Sequence, residues 1–212
     1  PEAVFESRDR QHLHAANGLN IFLLDRQVMG QEWSRAPIDP GTGNGQTQRV
    51  TFFGLKGGVG RSTALAVLAW RLARIGKRVL VVDLDLESPG IGSLLLPQER
   101  LPDFGVADWF VESAVGQADE PLAAGMVASS PLTGDAEAGE ILVAAAAGRD
   151  EGDYLAKLSR AYLELRAAGG VLHFGERVYQ MLHTLEARFK PDVVFLDSRS
   201  EEHTSELQSL DH

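Results

Sequence analysis

The stretch between Arg49 and Asp85 constrains the fold more than any other. It runs RVTFFG, then LKGGVGRST, then a segment with Leu65, Leu68, Leu72 and Ile75 at helical spacing, and then RVLVVDLD. The first run, Arg49 to Gly54, is β-branched and aromatic and feeds a glycine cluster, which predicts a buried strand ending in a tight loop. Gly76, followed by Lys77 and Arg78, supplies a helix stop with favourable charge at the carbonyl end. The run Arg78–Asp85 is continuously apolar and closed by acids, the pattern of a parallel strand covered on both faces. Strand, helix and strand make one βαβ unit. Such units build an α/β layer whose ligands sit at the carboxyl ends of the strands.

Downstream, Phe104–Val115 reads as a helix carrying Val106, Trp109, Phe110 and Val115, and EILVAAA (Glu140–Ala146) as a buried strand. Gly152–Ala168 and His173–Lys190 read as two helices parted by Gly169 and Gly170, the second with Val178, Met181, Leu182, Leu185 and Phe189 on one face. DVVFLD (Asp192–Asp197) is a fourth apolar strand. Before all this, Arg8–Trp33 has a weak helical rhythm at Leu19, Phe22, Leu23 and Val28, giving a helical appendage over 1–35. APIDPGTGNGQTQ, within 36–48, is Pro, Gly and polar throughout and reads as a flexible linker. The expected architecture is therefore α/β, a mostly parallel sheet flanked by helices, over 49–199. From Arg199 to Ser209 the chain resembles the in-frame translation of a sequencing-library adapter. Residues 200–212 are accordingly expected to be a non-native tail.

KGGVGRST has the chemistry of an anion cradle. Its glycines permit positive φ, so that successive backbone N–H groups can curl round a phosphate, and the helix beginning near Arg61 aims its positive dipole end at the same place. The Ser62 hydroxyl suits Mg²⁺. Compared with the general phosphate-loop pattern, Leu55 stands for the first Gly and Arg61 for the Lys. Asp83 and Asp85 close one strand and Asp197 another, supplying the oxygen chemistry of a magnesium–nucleotide site.

Composition removes other classes. The 212 residues hold no Cys, so thiolate metal sites and cysteine nucleophiles are out, and the six His show no zinc-ligand spacing. Neither Ser88 nor Ser198 has a nucleophile-elbow context. A formal charge of −10 opposes a broad nucleic-acid footprint. Dropping 200–212 removes Glu201, Glu202, Glu206 and Asp211, so the imbalance shrinks without reversing. Arg71, Arg74, Lys77 and Arg78 cluster at one helix end, either as dipole complements or as a DNA patch. Trp109 and Phe110 fit a core contact better than a base-stacking platform.

KGGVGRST, then GKRVLVVDLDLESPG, then DVVFLDSR, in this order, resembles the ParA/MinD superfamily of deviant Walker A ATPases, in its KGGVGR subgroup. The resemblance implies a P-loop fold of the SIMIBI type, ATP and Mg²⁺ as cofactors, an ATP-dependent homodimer, a protein partner and a cytoplasmic setting. It implies a nucleotide-binding set of Lys56, Gly57, Gly58, Val59, Gly60, Arg61, Ser62 and Thr63. Lys56 would reach across the dimer to the partner's phosphates. Asp83 and Asp85 would be the acids of the second strand, with Asp85 orienting the attacking water. Ser62, Asp83 and Asp197 would serve Mg²⁺, Asp197 through water. It also implies further strands and helices after Asp197, so the domain in 49–199 is expected to be incomplete. The resulting function is an ATPase acting as a dimerising switch, or, because of Arg61, an ATP-sensing module with little hydrolysis. A tyrosine-kinase relative finds only Tyr154, Tyr162 and Tyr179 and no tyrosine cluster.

Overall fold

A computed structural model describes residues 10–14, 20–24, 47–54, 58–133, 139–149, 152–161, 165–167, 170–172 and 174–199. The chain divides into two compact units, residues 1–36 and 37–212. In the first, the expected helix is not what forms. Two strands, β1 (Arg10–His14) and β2 (Asn20–Leu24), pair antiparallel with Arg10 opposite Leu24 and His14 opposite Asn20. The two strands face each other across a short connection, and side-chain pairing between them outweighs a weak helical rhythm. The 200–212 tail and most of the 36–48 linker lie outside the described residues.

The second unit opens with β3 (Gln48–Gly54), followed by α1 (Arg61–Arg74) and β4 (Arg78–Asp83). Two short elements absent from the sequence reading follow, helix α2 (Ile91–Leu95) and a 3₁₀ turn at Gln98–Arg100. Next come α3 (Val106–Ala114), α4 (Glu120–Gly125), β5 (Ala128–Ser129) and β6 (Glu140–Ala144). Helix α5 (Tyr154–Ala161) stops well short of Ala168. The chain then forms a small antiparallel hairpin, β7 (Leu165–Ala167) with β8 (Gly170–Leu172), where helix had been expected. Helix α6 (Phe174–Phe189) and β9 (Val193–Arg199) complete the unit.

The main sheet has the order β3-β9-β4-β6-β5, with β3, β9, β4 and β6 parallel and the two-residue β5 antiparallel at the edge. Helix α1 thus carries the chain from β3 past the position of β9 to β4. Strand side chains alternate between faces, so β4, β6 and β9 each feed two cores. Val79, Val81, Ile141, Val143 and Phe195 pack with Leu65, Ala69 and Ala73 of α1 and with Ile91 and Leu95 of α2. Leu80, Val82, Leu142, Val194 and Leu196 pack on the other side with Trp109 and Phe110 of α3 and with Val178, Met181, Leu182 and Leu185 of α6. The apolar stripe expected on α6 is therefore the buried one, and Trp109 and Phe110 are core residues.

A guanidinium sits inside the second core. Arg177, 1% exposed, donates to the Ala161 and Phe110 carbonyl oxygens and to Ser113 Oγ, with its plane over the Phe110 ring. These bonds tie α3, α5 and α6 together and answer the cost of burying a charge. At the edge strand, Arg49 makes a two-pronged pair with Glu186 of α6 at 2.7 and 2.8 Å.

Close backbone approach fixes Gly105, the residue before α3. A Cβ there would lie 2.5 Å from the Ala146 carbonyl oxygen, while the Val106 and Ala107 N–H groups donate to Ala145 and Ala146. Gly105→Ala is expected to cost about 1–3 kcal/mol by overpacking. Urea unfolding of the variant against the parent checks this, and an unchanged midpoint would refute the contact.

Candidate functional site

The site forms where β4 and β9 end beside the N-terminus of α1. Gly58 and Gly60 have φ of +75° and +81°, values that L side chains rarely adopt, so the loop needs glycine at both positions. Gly60 is the N-cap of α1. No side chain caps that helix and its first turn holds no acid, so its positive end is presented to the loop. Val59 stands exposed between the two glycines. Lys56 and Gly57 lie outside the described residues.

Parallel register sets the acids side by side. Asp83 is the direct partner of Asp197 across the β4–β9 pair, and Leu84 N–H donates to the Asp197 carbonyl oxygen at 2.9 Å. Asp85 follows two residues on. Arg61, the first residue of α1, spans two of these acids, its Nε 2.5 Å from Asp197 Oδ1 and its Nη2 2.7 Å from Asp85 Oδ2. Ser62 Oγ donates to the other Asp197 oxygen at 2.6 Å. The second Asp85 oxygen accepts the Ser88 N–H at 3.1 Å. Arg61, Ser62, Asp85 and Asp197 are thus one connected cluster.

Asp83 lies beside Asp197 on the same face of the sheet but spends its oxygens on the backbone. It is fully buried, and its two oxygens accept the Asp85 and Gly90 N–H groups, both at 3.2 Å. Those bonds shape the turn that carries Asp85. The structure therefore brings Asp85, Asp197, Arg61 and Ser62 together and sets Asp83 beside them as the support of the loop. In sequence this split is invisible, because two acids separated by a single residue look equivalent until the strand ends between them.

Burial governs the charges. It pushes the Asp83 carboxyl up to about 8, the Asp197 charge pushes the same way, and the Gly90 N–H opposes. Burial also raises Asp197, against the Ser62 hydrogen bond and the Arg61 charge. For Arg61, burial works to lower the pKa, but the Asp85 hydrogen bond and the Asp197 and Asp85 charges more than offset it, so the guanidinium is held above its usual value.

Ser62 Oγ and Asp197 Oδ2 are hard oxygen donors lying together, which suits Mg²⁺ in preference to a softer ion. Among the described residues, no group of three His, Cys, Asp or Glu side chains could hold a metal. A divalent ion here would thus draw further ligands from water or from a bound phosphate.

Of the basic cluster at the end of α1, Lys77 pairs with Asp192 and Arg78 with Glu140, each at 3.3 Å, and Arg74 lies over the Trp70 ring. No helix among the described residues is long and apolar enough to cross a membrane.

A parallel sheet flanked by helices, with a glycine loop leading from its edge strand into an uncapped helix and acids at the ends of the next two strands, defines a P-loop nucleotide-binding domain. The chain belongs to the CobQ/CobB/MinD/ParA nucleotide binding domain family, whose model matches residues 50–208. Over 55 residues it is 44% identical to the chromosome-partitioning ATPase Soj of Thermus thermophilus, a match spanning 26% of this chain and 22% of Soj. Over 74 residues it is 38% identical to the cytosolic Fe-S cluster assembly factor NUBP2 of Bos taurus, spanning 35% of this chain and 27% of that protein. Among solved structures, pNOB8 ParA is similar with a TM-score of 0.50 at 18% identity, over 79% of this chain and 54% of ParA. Mycobacterium smegmatis cobyrinic acid a,c-diamide synthase with bound ADP and magnesium gives 0.50 at 20% identity, over 78% of this chain and 56% of the synthase. The chain thus spans about a quarter of the length of the curated relatives and just over half of these structures.

The Asp83 environment sets a pH dependence. Unfolded, this carboxyl ionises near the ordinary carboxylate value of about 3.9. Folded, it keeps its proton to about 8. Its contribution to stability is therefore fully present below about pH 4 and is lost as the pH rises through about 8. Asp83→Asn removes that titration, so the variant should gain on the parent between pH 5 and pH 8.5 in urea midpoints. Parallel pH profiles would show that Asp83 does not carry the effect.

Proposed function

We propose that this chain is a Mg²⁺-ATP-binding ATPase domain that dimerises around nucleotide and acts as a switch for a protein partner. The observation that carries the reading is the gathering of Ser62, Asp197 and Asp85 beside the glycine loop and the start of α1. Backbone N–H groups of Gly58, Gly60 and the first turn of α1 would hold the phosphates, with Val59 in the same loop and Thr63 in that first turn. Ser62 and Asp197 would hold Mg²⁺, and Asp83 would keep the turn bearing Asp85 in place. When bound, Mg²⁺ neutralises charge on the β- and γ-phosphates. Asp85 would accept a hydrogen bond from the attacking water and so orient it. Lys56, by resemblance, would reach the nucleotide of a second copy. Soj supports the ATPase assignment by its name, and the synthase supports ADP and Mg²⁺ as ligands of the shared fold.

Calorimetry tests this directly. ATP should bind in the presence of Mg²⁺, and Ser62→Ala should lose most of the affinity that Mg²⁺ adds. Light scattering should show a mass near two copies with Mg²⁺-ATP and one copy without it. A failure to bind ATP would remove the reading, and binding without a change in mass would remove the dimer.

The Arg61–Asp85 pair favours a second reading, an ATP-sensing module with little hydrolysis, because the acid that would orient water already holds a cation. Single-turnover hydrolysis decides. If Arg61→Lys is at least tenfold faster than the parent, the sensing module is favoured; equal, measurable rates favour the ATPase.

A further inference from the structure

We propose that Arg61 is an internal cation latch that competes with a divalent metal for Asp197 and Asp85, and that nucleotide phosphates release it. The inference rests on the nucleotide-binding reading above and adds how that site is gated.

Every oxygen of the two carboxylates already accepts a hydrogen bond from within the chain. Asp197 gives one oxygen to Arg61 Nε and the other to Ser62 Oγ, and Asp85 gives one to Arg61 Nη2 and the other to the Ser88 N–H. A metal ion, or a water bound to it, approaches these oxygens against the positive charge of Arg61, which bridges both acids. Ser62 is itself a donor to such an ion, so Arg61 is the group that must leave. The cluster is also dry. Side-chain exposure is 14% for Arg61, 6% for Asp85 and 1% for Asp197, so salt screens the pair weakly.

The residue type matters here. A guanidinium offers Nε and Nη donors in a planar fork, so one side chain bridges acids on two different strands, whereas an ammonium is a compact point charge. Phosphate oxygens match the same fork. A nucleotide in the loop at the start of α1 therefore offers Arg61 a second set of acceptors, and its move to them opens Asp197 and Asp85 to the metal. Metal and nucleotide then favour one another beyond their direct contact, and the effect is reciprocal.

The test follows Mn²⁺ binding to the full chain by the loss of the free-ion signal in electron paramagnetic resonance, with and without ADP. Without nucleotide, Arg61→Ala should bind Mn²⁺ at least about tenfold more tightly than the parent, the amount one hydrogen bond to a charged group is worth. The ADP-induced gain in Mn²⁺ affinity should be smaller in the variant than in the parent. A natively folded Arg61→Ala that binds Mn²⁺ no better than the parent overturns the latch. If that variant does not fold, the parent's Arg61 Nε–Hε proton resonance serves instead. It should exchange slowly in the free protein and shift on saturation with Mg²⁺-ADP, and an unmoved resonance at proven saturation overturns the latch while leaving nucleotide binding intact. Tighter Mn²⁺ binding by Arg61→Ala with no nucleotide binding to either protein supports the competition for metal and removes the nucleotide reading.

Discussion

Parallel pairing of β4 with β9 places Asp83 directly beside Asp197, and much of the site follows from what must be done with that repulsion. Two neighbouring carboxylates out of water cannot both stay charged without a counterion. The fold separates the problem. Asp83 is fully buried, which favours its neutral form against the pull of two backbone N–H groups, whereas Asp197 is given Arg61 and Ser62. One acid becomes the scaffold of a turn and the other stays at the mouth of the site.

This division explains which parts were legible in the sequence. Strands β4, β6 and β9 announce themselves as apolar runs because both faces of the sheet are covered there, and α6 through a stripe that meets one core. Helices α1 and α3 were readable for the same reason. The edge strand β3, expected to be buried from its apolar run, instead leaves Val50 and Phe53 exposed because it has a neighbour on one side alone. Elements shorter than about two turns, such as α2 and α4, leave too few residues for a period to show. The β7–β8 hairpin falls at Gly169–Gly170, where a glycine pair marks a break but not what lies on either side. Strands β1 and β2 were missed because Phe22 and Leu23, read as a helical rhythm, belong to a pairing with residues about ten positions earlier.

The site was legible in its parts and not in its connections. The loop, Ser62 and the acids stand out by type and spacing. That Arg61 binds two acids, and that Asp83 lies beside Asp197, depends on the register of strands more than a hundred residues apart in sequence. Arg177 is the plainest omission. An arginine on the apolar side of α6 carries no local mark of burial, and only the carbonyl groups at the ends of α3 and α5 make its position tolerable.

The same accounting bears on why an arginine is accommodated at the start of α1. The loop before it needs positive φ at Gly58 and Gly60, and the first turn behind it has no acid and no side-chain cap. A cation at that position finds no stabilisation from the helix, whose positive end opposes it. The compensation comes from Asp85 and Asp197 across the strand ends. In their absence a buried guanidinium at a helix N-terminus would be costly; with them, it joins α1 to β9 and to the turn after β4. Binding chemistry and fold stability therefore run through the same side chain, and an anion entering the loop would act on both at once.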